Sequence, residues 1–71
     1  MALKITFSEQ ISLQDVEQFV STNFGGFGRV SRTDDQRTIL LTEIYWPYDT
    51  ATVMAQLAAF EKDGVLTWEK D

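Results

Sequence analysis

Two helix-start signals, each set between stretches of strand character, constrain this chain more than any other feature. Ser12 stands three residues before Asp15 in ISLQDVEQFVSTN, the S-x-x-D form of a capping box, with Ile11 and Val16 at the flanking staple positions. Asp49 opens YDTATVMAQLAAFEKDG by the same logic, with Tyr48 and Val53 as the staple and Gly64 where a left-handed residue ends a helix. The spacing predicts one helix over Leu13–Asn23, closed by Gly25, and a second running from Asp49 to Gly64. Leu13, Val16, Phe19 and Val20 share a face of the first; Val53, Leu57 and Phe60, with Met54 and Ala58 beside them, line the second.

Strand patterns occupy the remainder. Residues 3–8 alternate Leu3, Ile5 and Phe7 with Lys4, Thr6 and Ser8, the period of a strand with one buried face. GRVSRT (28–33) and RTILLTEIYW (37–46) have strand composition, are split by a polar DDQ loop, and end at Pro47, which cannot donate to a ladder. VLTWEK (65–70) forms the last strand. The order β-α-β-β-α-β in 71 residues predicts a single domain, 1–71. Its fold class is α+β: a ferredoxin-like two-layer sandwich with a four-stranded antiparallel sheet and two helices on one face. Right-handed crossovers place the first and third strands at the centre. The alternative is an open α+β sheet whose short second strand pairs incompletely.

The chain contains no cysteine and no histidine. That removes disulfides, thiolate and imidazole metal ligands, and the Ser-His and Cys-His constellations, so neither an enzyme nor a cofactor is expected. Glu9, Glu43 and Asp49 lack convincing metal-ligand spacing, and Asp49 is accounted for as a helix cap. MALKITFSEQ has no apolar run long enough for a signal core, and no segment approaches a membrane span, so the expectation is a soluble cytoplasmic protein with no membrane partner. Eleven acidic against six basic residues give a net charge of −5, which makes nucleic acid an unlikely partner. The three arginines, Arg29, Arg32 and Arg37, nevertheless fall in one stretch that holds only Asp34 and Asp35 as acids, leaving it net positive.

NFGGFGRVSR (23–32) is the motif with the most readings. A phosphate-binding glycine loop lies between a strand and a following helix, whereas Gly26-x-Gly28 follows a helix and precedes a strand. GGFGRV resembles the glycine-aromatic core of the RNP1 motif of RNA-recognition domains, but that family carries it on the third strand, and Arg29 occupies its second aromatic position here. A joint between helix and edge strand accounts for it better. Gly25 ends the helix, Gly26 and Gly28 let the chain turn, and Phe24 or Phe27 anchors the turn.

RTILLTEIYWPY is apolar on both alternating sets. Because Glu43 is costly to bury unpaired, strict alternation places Leu40, Ile44 and Trp46 against the helices and Ile39, Leu41, Glu43 and Tyr45 on the open face. The expected function is a non-enzymatic, small acidic protein-interaction module, an adaptor, inhibitor or regulatory protein. It would use the open face or an edge strand, with another protein or itself, as a homodimer, for partner. The candidate partner-binding residues are Ile39, Leu41, Glu43, Tyr45, Arg29 and Arg32. The alternative is a sensor for a small anionic ligand held by the arginines, with single-stranded nucleic-acid binding and nucleic-acid mimicry behind it.

Overall fold

The computed structural model describes residues 2–70. Strand β1 (Leu3–Phe7) leads into helix α1 (Leu13–Asn23), strands β2 (Gly28–Arg32) and β3 (Thr38–Ile44), helix α2 (Thr50–Lys62) and strand β4 (Leu66–Lys70). The sheet runs β2-β3-β1-β4 with each neighbouring pair antiparallel. This is the ferredoxin-like α+β layout, with β1 and β3 central and β2 and β4 as edges.

Both helices begin at their caps. Asp15 N–H donates to Ser12 Oγ at 3.1 Å, and Thr52 N–H donates to Asp49 Oδ1 at 2.7 Å, each satisfying a donor the helix itself cannot. The ends differ. Past the end of α2, Gly64 adopts φ 78°, and among the described residues it is the one glycine in left-handed backbone. Gly25 is not, so the expected left-handed stop of α1 is absent. Instead Phe24 caps α1 in near-helical backbone, its N–H bonded to Val20 O at 2.9 Å and its ring fully buried. Burial of that ring holds the chain in a continued turn.

One core lies between helices and sheet, built from Leu3, Ile5 and Phe7 of β1, Val16 and Val20 of α1, Phe24, Val53 and Leu57 of α2, Leu66, and Ile39 and Leu41 of β3. Leu13, in the first turn of α1, is exposed. The rings of Phe7, Phe19 and Phe60 meet edge-on, with Phe19 5.5 Å from Phe7 and 4.9 Å from Phe60, and Phe24 lies 6.3 Å from both Phe7 and Phe60. Each such pair adds about 0.5–1.5 kcal/mol beyond its buried area, a large share of the stability of so small a domain.

The buried face of β3 is the reverse of the expected one. Ile39 is 0% and Leu41 1% exposed, whereas Leu40 is half-buried on the open face. Strict alternation fails because the β2–β3 ladder is irregular: Arg29 pairs with Glu43 but Val30 pairs with Leu41, so Thr42 is an extra residue. A bulge of this kind switches the phase of the strand. It lets Ile39 and Leu41 point inward, keeps Glu43 in solvent, and returns Ile44 to the edge of the core. The open face is therefore polar, carrying Lys4, Thr6, Ser31, Thr67 and Glu69 around Leu40. Trp46, expected in the core, lies beyond the strand end and is 92% exposed.

Two predictions follow from this packing. Leu41→Ala should cost about 2–5 kcal/mol in urea unfolding, and Leu40→Ala less than about 1.5 kcal/mol; equal costs would contradict the bulge-shifted face. The second concerns acid. In the β2–β3 hairpin the Arg37 N–H and then the Thr38 hydroxyl, bonded to Asp35 at 2.9 and 3.1 Å, hold its carboxyl below the usual value, and the Thr52 hydroxyl and N–H do the same for Asp49. A carboxylate acidified by folding contributes fully above its unfolded pKa and loses that contribution as pH falls through its folded one. Thermal stability should therefore drop between about pH 5 and pH 2, and an Asp35→Asn/Asp49→Ala variant should show a shallower drop over the same window.

Candidate functional site

The outer rim of β2 can be read from its bonded side. Tyr45 N–H donates to Phe27 O at 2.7 Å and Thr33 N–H points to Thr38 O at 3.4 Å. Bonded and non-bonded pairs alternate in an antiparallel ladder, so Ser31 faces β3 while the backbone groups of Val30 and Arg32 face outward; Gly28, of the same parity, is buried. β2 is a sheet edge, and the outward groups form its bonding-competent rim. The bulged residue belongs to β3, so the rim itself stays regular.

Glycine at position 28 is a requirement of this pairing. A Cβ there would lie 1.8 Å from the Glu43 carbonyl oxygen, a distance no side chain can adopt. Thr42 Oγ1 donates to Arg29 O at 3.3 Å and braces the bulge from the other strand. Close approach of the two backbones at this end brings the β3–α2 turn against the start of β2.

That turn is aromatic. Tyr48 N–H donates to Tyr45 O at 2.9 Å across a cis Trp46–Pro47 peptide. Tyr48 is partly exposed, yet its ring meets Phe27 edge-on at 4.8 Å, so it braces the turn rather than acting only as a helix staple. Tyr45 is 43% exposed, and Trp46 projects into solvent beside it.

Between α1 and the β2 rim lies an open groove of about 540 Å³, lined by Glu17, Val20, Gly28, Arg29, Val30, Arg32 and Tyr45, among others. Of the residues singled out in the sequence, the structure brings Arg29, Arg32 and Tyr45 together here. It does not bring Ile39 and Leu41, which are core, and Glu43 is exposed opposite Arg29 without lining the groove.

The arginines have separate tasks. Arg37 donates to Ser8 O at 2.7 Å and to Ile11 O, fastening the β1–α1 loop. Arg32 forms a forked ion pair with Glu17, at 2.8 and 2.9 Å, tying β2 to α1. Both partners are solvent-exposed, so the pair is worth less than about 1 kcal/mol. Arg29 makes no ion pair among the described residues.

Trp46, Val30 and Gly28 are the site residues that sequence reasoning missed. Pro47 was the available signal for Trp46, because the residue before a ladder-ending proline is the first to leave the sheet. Among the described residues no group of three or more acidic side chains converges as a metal site, and no helix is long and apolar enough to cross a membrane. Comparison with protein-family models, curated proteins and solved structures gives no match.

Amide hydrogen exchange tests the rim directly. The N–H groups of Val30 and Arg32 should exchange far faster than those of Ser31 and of β1 residues such as Ile5; slow exchange at Val30 in the monomer would show that the rim is not free.

Proposed function

We propose that this protein is a non-enzymatic interaction module that takes an extended segment of a partner protein along the β2 edge. The observation that supports this reading is the coincidence of the outward-facing rim of Val30 and Arg32 with the groove beside it, whose lining includes Tyr45, the chain neighbour of the exposed Trp46. Strand addition uses main-chain hydrogen bonds for affinity and flanking pockets for specificity. Val20 and Val30 offer an apolar floor for one side chain of the segment, and Arg29 favours an acidic one. Trp46 and Tyr45 are the residue types that anchor interfaces, and they stand next to each other just past the end of β3.

The open sheet face supports such a role less well, since it is polar apart from Leu40. A small-anion sensor would draw on Arg29 alone, because Arg32 and Arg37 are engaged with Glu17 and with loop carbonyls.

Affinity capture from source cells with wild-type protein, followed by titration of the captured partner, tests the reading. An Arg29→Glu/Trp46→Ser variant should fold and bind at least about thirtyfold more weakly, and the complex should protect the Val30 and Arg32 N–H groups from exchange. Unchanged affinity in the folded variant, with no protection of the rim, would refute it.

A further inference from the structure

We infer that the segment taken by the β2 edge carries a carboxylate two residues from an apolar side chain, and that this carboxylate displaces Glu17 from Arg32. This rests on the reading of the β2 edge as the working surface and names the chemistry of its partner. In the free protein Arg32 and Glu17 meet as a fork, Nη1 to Oε1 at 2.8 Å and Nη2 to Oε2 at 2.9 Å, and both residues line the groove. A guanidinium set to take a carboxylate through two parallel bonds is a receptor for that group, and here the chain supplies the carboxylate itself. Both side chains are solvent-exposed, so exchanging one carboxylate for another gives up little.

The spacing follows from the strand. Val30 and Arg32 have the same parity, so their side chains share the face toward α1, where Val30 packs against the core and Arg32 reaches Glu17. Residues of an added strand that lie opposite these two point to the same face. The one opposite Val30 meets the floor of Val20 and Val30, and the one opposite Arg32, two positions along, reaches the fork. An apolar side chain and a carboxylate two residues apart therefore fit this rim in either strand direction.

Main-chain pairing is what lets such a segment compete. Bonds to the rim hold its carboxylate beside Arg32 at high effective concentration, so that it contends with Glu17 as another tethered group. A free anion has no such tether and leaves Glu17 in place. A segment with a neutral residue at that position leaves the fork closed, so Glu17 and Arg32 together set the specificity of the edge.

NMR titration of the isotope-labelled chain with short capped threonine peptides, carrying one valine and, two positions along, either glutamate or glutamine, tests this displacement. The glutamate peptide should shift the Val30 and Arg32 N–H signals and bind about two- to fivefold more tightly than the glutamine peptide, a difference that shrinks as salt rises. Glu17→Gln should tighten the glutamate peptide by a similar factor and leave the glutamine peptide unchanged, while Arg32→Gln should erase the preference. Free acetate at the same concentration should leave the Arg32 signals unmoved. A merely structural tie between β2 and α1 would lower stability in Glu17→Gln without moving the ratio of the two affinities. Equal affinities in wild-type protein, or a ratio that Glu17→Gln does not raise, overturn the displacement, and the rim shifts then still uphold the edge itself. Failure of both peptides to bind up to about 10 mM overturns it as well, and capture with the Arg29→Glu/Trp46→Ser variant decides separately whether the edge takes another protein.

Discussion

The close approach of β2 and β3 at Gly28, together with the extra residue Thr42, governs most of what this molecule presents to its surroundings. Without a Cβ at position 28 the Glu43 carbonyl can lie against the strand, and with Thr42 inserted the side-chain phase of β3 switches. Ile39 and Leu41 enter the core on one side of the bulge and Ile44 packs against it on the other. A regular strand could not have buried all three while leaving Glu43 in water. The same step carries Tyr45 to the start of β2 and sends Trp46 outward.

The core meets the needs of a short chain with aromatic packing. Four phenylalanines contributed by β1, α1, its C-cap and α2 join both helices to the sheet through one cluster, and single hydrogen-bonded caps set where each helix begins. The polar links are peripheral. Arg37 secures the loop before α1, and Glu17 with Arg32 joins α1 to β2 at the surface, where solvent screens the pair. Much of the net-positive stretch is thus structural, and Arg29 is the arginine in it that makes no ion pair among the described residues.

An edge strand is a hazard unless it is blunted or used. β2 is short and carries two arginines, which suits protection, yet its rim is regular, a groove opens beside it, and an exposed tryptophan stands at one end. Protection alone explains the charges. It does not explain why Trp46 is exposed or why the bulge sits on the inner strand instead of the rim.

Element order, both helix starts, the glycine stop after α2 and the central places of β1 and β3 were legible in the sequence, because caps, period-two alternation and crossover handedness are local or topological rules. Arg29, Arg32 and Tyr45 were legible as surface candidates from residue type and clustering. The faces of β3 were not. Its alternating sets are both apolar, so the pattern has no preferred phase, and the cost of burying Glu43 was weighed as if the strand were regular. A bulge is a property of two paired strands: Thr42 becomes the extra residue only when Gly28 lies opposite Ile44 and Val30 opposite Leu41. The stop of α1 has a similar origin, since Gly25 has the composition of a left-handed cap but Phe24 has the burial that overrides it. Local chemistry chose the elements of this chain, while the pairing of β2 with β3 and the seating of Phe24 chose which residues reach the surface.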